Sequence, residues 1–445
     1  MESVVTHQIA NNEAEQKAFY RLLHNPRVSM DELINYITSD CSRQVESGKH
    51  YIVFQDTTQP NLEKQRDRIK AESGLGVIAR RTVSDNRSLG FFLHGALAVE
   101  ASSERCIGYG HIDVWSRPVC TDNYEARGAR YQPLQQKESY RWLESMIQSR
   151  KTLQHAAQVT MVSDREGDIY ECFSQASELG VEVLIRSRAD RKVLTDDGQK
   201  HAILSYLRQS PCLGSYELTI EADKRQHRIG REAHIEVRAV SALFTPPQHI
   251  AKTYPPVEVY IVEAREQPES VPQGQEPVHW VLVTTHQVTT FQQACQVIQW
   301  YGLRWNIEQV FRLLKTKGFN VEASQLEEGD AIIRSCLLAM LGASKIVLLH
   351  RASKQQEAVP IQQSFTTDQQ ACMRLLCRQY AGKTLRQKNP YPANSLQWCY
   401  WVIARLGGWK PMEKQAGVIV LFRGWQRFWQ IYQGWVLAHP DVSKQ

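Results

Sequence analysis

The sequence predicts a protein of the α/β class. Residues 51–54 form a continuous apolar run, which is typical of a strand buried on both faces, and residues 158–162 and 181–185 repeat the pattern. Helical patterns separate the later runs, at residues 138–153 and 169–179. Two of the strands lead directly into an aspartate, so the sequence places acids at strand ends, as α/β enzymes often do.

The first third of the chain is predicted to contain short helices, one buried strand and a hairpin. Short helices are expected before the first strand, with Ser29 as the N-cap of a helix over residues 30–37. The first strand, residues 49–56, ends at Asp56. Apolar segments at residues 90–99 and 106–115, separated by a polar loop, predict a hairpin.

The pattern changes after the strand that follows Asp164 and its helix. Residues 194–277 consist of short alternating segments with prolines between them, which indicates a mostly β insertion. Residues 280–285 then return to a buried-strand pattern, and residues 291–317 predict one long helix. The remainder is expected to be mainly helical.

Composition excludes several classes of protein. The chain has 445 residues, of which 42% are hydrophobic and 22% charged, as in a soluble globular protein of two or three domains. The longest apolar stretch, residues 336–349, is interrupted by Lys345 and is too short to span a bilayer. The first twelve residues lack a secretory signal, so we expect a cytoplasmic protein without membrane contact. The ten cysteines include no Cys-x-x-Cys pair, so neither a zinc site nor a disulfide framework is indicated.

Charge is unevenly distributed along the chain. Residues 331–445 contain 15 Lys or Arg against 4 Asp or Glu, whereas the whole chain carries a formal net charge of +6. A polyanion such as nucleic acid would explain a basic C-terminal part, and so would a solvated basic helical surface. Charge alone leaves both explanations open.

The most informative segment is residues 301–315. On one continuous helix, Tyr301, Arg304, Glu308 and Lys315 fall within an arc of about 60°. The segment can therefore direct a polar stripe into a cleft while an apolar stripe packs inward. An exposed helix with an Arg304–Glu308 ion pair is the alternative, because these residues are four positions apart.

Three carboxylates favour the interpretation in which the polar stripe faces a cleft. Asp56, Asp164 and Glu308 would converge on one site, and oxygen ligands of this kind suit Mg²⁺ or Mn²⁺. Arg304 and Lys315 would then hold phosphate oxygens. The predicted chemistry is phosphodiester cleavage or transfer. Glu166 and Asp168 also follow the second strand, and the sequence leaves open whether either is a ligand.

The spacing of Tyr301, Arg304, Glu308 and Lys315 resembles the Y-R-E-K signature of bacterial cut-and-paste transposases of the DDE class, insertion-sequence family four, to which transposon five is similar. Asp56-Thr57-Thr58 resembles the first catalytic aspartate of that family and Asp164-Arg165-Glu166 the second. The likeness covers residues 13–435 and includes residues 395–398 and 403–408.

The resemblance implies an organisation in four parts. An RNase H-like mixed-sheet core is expected at residues 49–193 and 278–330, interrupted by a β insertion at 194–277. A helical segment at residues 1–48 precedes it. A basic helical domain at residues 331–445 is expected to contact DNA and to dimerise through the region of Trp425, Trp429 and Tyr432. Core packing within one chain is the alternative role of these aromatics.

The resemblance also implies residue roles. Asp56, Asp164 and Glu308 would be the catalytic metal ligands for strand nicking, hairpin formation, hairpin resolution and strand transfer, with Mg²⁺ as cofactor and Mn²⁺ as a substitute. Trp280 would stack on a flipped base, as aromatic faces do, and Arg186 would contact DNA. Core packing and a plain surface charge are the respective alternatives. The expected partners are double-stranded DNA and a second copy of the chain, and the protein would associate with the bacterial nucleoid.

Two other functions remain open. The family usually has a further N-terminal helical segment that binds the transposon end, and residues 1–12 show no pattern from which we would expect a counterpart. A relative without it could inhibit transposition by forming inactive mixed dimers. A glycosidase that uses a pair of carboxylates is the third hypothesis, but that chemistry does not need cationic side chains to bind the substrate.

Overall fold

The computed structural model describes residues 13–70, 74–78, 88–117, 134–223, 227–315, 317–355, 357–412 and 414–439. The first twelve residues of the predicted N-terminal segment therefore lie outside the described part. The chain forms two compact units. We call Val45–Asp56 with Tyr124–Trp305 the strand unit, and Met1–Gln44, Thr57–Asn123 and Asn306–Gln445 the helical unit.

The helices and strands carry the following labels. The helices are α1 Glu13–Leu23, α2 Met30–Arg43, α3 Tyr140–Thr152, α4 Tyr170–Leu179, α5 Ile203–Gln209, α6 Phe291–Gly302, α7 Trp305–Leu314, α8 Gly329–Ala352, α9 Thr367–Tyr380, α10 Leu396–Leu406 and α11 Val418–Ala438. The strands are β1 His50–Thr58, β2 Gly76–Val77, β3 Leu89–Gly90, β4 Phe92–Glu100, β5 Cys106–Trp115, β6 Gln158–Ser163, β7 Glu182–Arg186, β8 Lys192–Leu194, β9 Lys200–Ala202, β10 Gly214–Ile220, β11 Arg231–Phe244, β12 Val257–Glu266 and β13 His279–Thr284. The protein is thus a mixed α/β structure, as predicted.

The strand unit is built on a mixed sheet. Its order is β1-β6-β7-β13-β12-β11-β8-β9, and β10 also pairs with β11. The β1–β6 and β6–β7 pairs are parallel, whereas β13 runs antiparallel to both of its neighbours. Tyr51, Ile52, Val53 and Phe54 are fully buried, because β1 is covered on both faces. The strands of the predicted insertion continue this sheet through the β12–β13 pair.

The helical unit contains the predicted hairpin and most of the helices. Strands β4 and β5 pair antiparallel, and the Tyr109 hydroxyl donates to the Met340 carbonyl at 3.0 Å, which fastens β5 to α8. Helix α2 begins with the predicted cap: the Ser29 hydroxyl accepts from the Glu32 amide, and the Glu32 carboxylate accepts from the Ser29 amide. Helix α2 extends to Arg43, six residues beyond its predicted end.

Helix α8 is long and apolar enough to cross a membrane by length and composition. However, 83% of its most apolar window is buried inside the protein, as in the central helix of a packed core. Among the described residues, it is the single helix that meets these criteria.

The prediction of one helix over residues 291–317 is wrong. Helix α6 ends at Gly302, the Arg304 amide bonds to the Tyr301 carbonyl at 3.0 Å, and α7 begins at Trp305. This hydrogen bond spans three residues, which is tighter than an α-helical turn, and glycine has a low helix propensity. Angles computed on one continuous helix therefore do not describe how Tyr301 and Arg304 are placed relative to Glu308.

A histidine cluster anchors α6 to the sheet. The Thr160 hydroxyl oxygen lies 2.8 Å from Nε2 of His50 and 2.7 Å from Nε2 of His286. The Trp300 ring, one residue before Tyr301, packs against both imidazoles at centroid distances of 5.0 Å. Burial lowers the pKa of both histidines to about 4, and for His50 the nearby His286 lowers the pKa further while Glu182 opposes the shift.

The buried histidine cluster predicts that the folded protein becomes less stable in acid. Because the folded state holds both histidines neutral, the unfolded chain binds more protons below the ordinary histidine pKa of 6.5, so stability is lost as the pH falls from about 6.5 toward 4. His286→Gln cannot titrate, so its thermal midpoint should fall less between pH 7 and pH 5 than that of the unmodified protein. His155→Gln, at an exposed histidine, is the matched control and should leave the pH dependence intact. Equal pH dependence in all three proteins would contradict the assignment.

Candidate active site

Two aspartates lie at the carboxyl ends of adjacent parallel strands of the strand unit. Phe54 of β1 lies opposite Val162 of β6, and Asp56 and Asp164 are each two residues further along. The register therefore places both acids side by side at the carboxyl end of these strands, where α/β proteins bind ligands. Asp164 also caps the short Arg165–Gly167 turn, because its Oδ1 accepts from the Glu166 amide at 2.8 Å.

Arg304 reaches the first of these aspartates. Its guanidinium donates to Oδ2 of Asp56 at 3.0 Å, and the two side chains are only 15% and 18% exposed. The tight turn between α6 and α7 gives Arg304 this position. The sequence offered Glu308 or a phosphate as partners of Arg304, and it gave no indication of this ion pair.

Tyr301 links the arginines to the second aspartate. Burial raises the pKa of its phenol, while the positive charges of Arg304 and Arg186 and a hydrogen bond with Arg304 lower it, and Asp164 raises it. The ring of Tyr301 also packs edge-on against Trp280, with centroids 5.2 Å apart. The strand unit thus assembles six of the residues that the sequence selected, namely Asp56, Asp164, Arg186, Trp280, Tyr301 and Arg304.

A buried glutamate beside this group was missed from the sequence. Glu263 of β12 has a side chain only 4% exposed, and its carboxylate lies 2.8 Å from Nε2 of His279. The His279 carbonyl in turn accepts from Arg186 at 3.1 Å. Glu263 therefore holds the start of β13, the strand that carries Trp280 and the acceptor of Arg186. The available signal was an acid that interrupts the apolar run Ile261-Val262-Glu263-Ala264 in the middle of β12.

The structure gives Asp168 a different task from Asp164. The side chain of Asp168 is fully buried, forms a close ion pair with Arg191 and accepts from the Arg188 amide at 2.8 Å. These contacts hold the segment after β7 against the turn that follows β6. Glu166, by contrast, is exposed.

Glu308 and Lys315 belong to the helical unit. Glu308 lies in the first turn of α7, and Lys315 is an exposed residue just after its end, with a carbonyl that accepts from the Gly318 amide at 2.9 Å. Their convergence with the two aspartates stays a prediction.

The aspartate pair has donors that suit a hard cation. Among the described residues, no group of three or more His, Cys, Asp or Glu side chains is arranged to hold a metal ion. Mg²⁺, however, is commonly bound by one or two carboxylates with water and substrate phosphates completing its shell. Asp56 and Asp164 therefore fit such an ion as a partial ligand set, and the neighbouring arginines suit phosphate oxygens.

The fold and these residues define a class of protein, an α/β enzyme that acts on a phosphodiester backbone. Comparison with known families agrees: the chain matches the model of the transposase DDE domain over residues 5–342 and belongs to that family. It is therefore a transposase, and its family consists of enzymes that cleave DNA and transfer strands, generally with divalent metal ions. The DNA substrate follows from the family as well.

The two acids after β6 can be separated by substitution. Asp168→Asn leaves Arg191 without its buried counter-charge and should lower the free energy of unfolding by on the order of 3 kcal/mol, with DNA cleavage retained at temperatures where the variant is folded. Glu166→Gln is the matched exposed control and should change neither property. Chemical denaturation and a cleavage assay measure both. Loss of cleavage in a fully folded Asp168→Asn protein would instead place Asp168 in the catalytic set.

Proposed function

We propose that the chain is a cut-and-paste transposase of an insertion sequence, in the Y-R-E-K group similar to transposon five. It would nick one strand at the element's end, form and resolve a DNA hairpin, and join the end to a target. The observation that supports this proposal most is the assembly of Asp56 and Asp164 with Arg304 and Tyr301 in one unit.

Asp56, Asp164 and Glu308 are the proposed ligands of Mg²⁺, which Mn²⁺ would replace. When bound, the metal supplies activation of a water or hydroxyl nucleophile and stabilises the leaving oxygen. Lys315 would add a point charge against a phosphate. Glu308 would contribute its carboxylate from α7, one turn after Arg304.

Arg304 has two partners in this proposal. In the protein without DNA its guanidinium neutralises Asp56. A DNA phosphate carries the same charge as a carboxylate and also accepts hydrogen bonds from a guanidinium, so DNA would draw Arg304 from Asp56 and release a carboxylate oxygen. The Tyr301 hydroxyl, which hydrogen-bonds Arg304, would keep the guanidinium at the site as it passes from the carboxylate to the phosphate.

Trp280 and Arg186 are proposed to hold the DNA end. Trp280 is half-buried, and its contact with Tyr301 is edge-on, which supports a role in stacking on an extruded base. Stacking of this kind contributes about 1–3 kcal/mol per base. Arg186, held by the His279 carbonyl, would contact the backbone nearby.

A homodimer holding two ends is the proposed assembly, with α11 as the contact. Trp425 is buried against Phe365, so the first part of this helix serves the core of the helical unit. Further along, Trp429 and Tyr432 are half-exposed and Leu437 is 84% exposed. The apolar exposure at the end of α11 supports pairing with a second copy.

The catalytic proposal predicts the effect of removing one carboxylate. Glu308→Gln, which preserves size but removes the charge, should reduce cleavage by at least about 10³-fold while leaving DNA affinity within about twofold, because the change affects the transition state more than binding. The assay uses a duplex with the end of the surrounding element, Mg²⁺ or Mn²⁺, and a denaturing gel. Glu322→Gln, at another glutamate of the helical unit, is the control.

Two outcomes would contradict the proposal. Unchanged cleavage in Glu308→Gln would remove Glu308 from the catalytic set. A protein that binds the end and never cleaves it with either metal would support the transposition inhibitor instead.

Base stacking predicts a selective defect. Trp280→Ala should reduce hairpin formation at least about tenfold more than first-strand nicking, because the extruded base is needed only for the hairpin. Trp280→Phe retains an aromatic face and should recover part of the hairpin yield. Equal loss of both steps in Trp280→Ala, with no recovery in Trp280→Phe, would assign Trp280 to packing against Tyr301.

A further inference from the structure

The end of α9 and the loop after it form an exposed surface of cations. Arg378, Lys383, Arg386 and Lys388 are all exposed. The sequence from Gln369 to Met412 contains no Asp or Glu. We call these four side chains the basic loop surface.

Hydrogen bonds fold this loop into a fixed shape. The Gly382 amide bonds to the Gln387 carbonyl at 3.2 Å, and the Gln387 amide bonds to the Thr384 carbonyl at 3.0 Å. Asn389 donates to the Trp398 carbonyl at 3.0 Å and to the Cys377 sulfur at 3.8 Å. The Asn389–Cys377 contact holds the end of this loop against the last turn of α9.

The cations of this surface lack acidic partners. In the part of the chain that the structure describes, none of the four lies within 4.0 Å of a carboxylate, whereas Arg66 and Lys70 in the same unit pair with Glu63 and Glu328. Like charges carried by one short segment repel one another. A polyanion neutralises these charges, and the release of its condensed counterions favours binding further.

We propose that the basic loop surface binds the phosphate backbone of DNA without regard to base sequence. Lysine and arginine contacts to phosphates position a protein on DNA but do not read bases. The surface therefore suits DNA outside the recognised end, such as flanking or target DNA. The inference rests on the proposed function for the identity of the polyanion.

A matched pair of variants tests this inference in the full chain. Arg386→Ser/Lys388→Ser removes one arginine and one lysine from the surface, and Arg66→Ser/Lys70→Ser removes the same charges from exposed positions with acidic partners. Affinity for a random-sequence duplex is measured by fluorescence anisotropy against salt concentration. Each lost phosphate contact lowers the log–log slope by about 0.9, so the surface variant should lose up to about 1.8 and the control should keep the original slope.

Several results would overturn the inference. If both double variants have the thermal midpoint of the unmodified protein, equal salt slopes in the two variants would overturn the inference. An unchanged DNA slope combined with lost binding to phosphatidylserine vesicles would assign the surface to a membrane. Failure of the proposed function is distinguishable, because it appears as unchanged cleavage in Glu308→Gln, a protein that should retain the full salt slope.

Discussion

Parallel pairing of β1 with β6 determines where the acidic side chains lie. In a parallel pair, both strands end at the same edge, so two aspartates at equal distances from one register pair become neighbours. Two like charges at such short range destabilise each other unless a cation compensates. Arg304 supplies that compensation for Asp56 at 3.0 Å, and the tight turn between α6 and α7 gives it this position.

The surroundings of Tyr301 connect this charge balance to packing. The phenol is buried, and its hydroxyl lies among Arg304, Arg186 and Asp164. Its ring rests on Trp280, while the preceding residue, Trp300, anchors α6 on the histidine cluster. Apolar contacts therefore hold α6 in position, and the Tyr301 hydroxyl is available to hydrogen-bond Arg304. A change in the histidine cluster would reach the site through this helix.

Cations differ in how they are held near the site and on the basic loop surface. Three arginines of the strand unit have specific acceptors, as Arg186 has in His279, Arg191 in Asp168 and Arg231 in Glu266. The basic loop surface of the helical unit has no such acidic acceptors among the described residues. Arginines with specific acceptors are held in one position, which suits a site with a defined geometry. Solvated cations can adjust, which suits a ligand with regularly repeated charges.

The sequence by itself determined the α/β class, most strand positions and the family. Apolar runs and the acids at their ends are local features. A strand that is buried on both faces has a continuous apolar run, which can be recognised without knowing the neighbouring strands. The predictions of class and of strand positions succeeded because each depends on residues close in the chain. The roles of the site residues, which were taken from strand ends, helix spacing and the family resemblance, stay predictions.

Tertiary structure decided how those residues meet. The helix break after Gly302 accompanies the contact of Arg304 with Asp56, 248 positions away in the chain, and a helical pattern does not predict such a contact. The same holds for Asp168, whose carboxylate is occupied by Arg191, and for Glu263, which supports His279 across two strands. Ion pairs between distant residues depend on strand order and register, and these follow from the packing of the whole sheet.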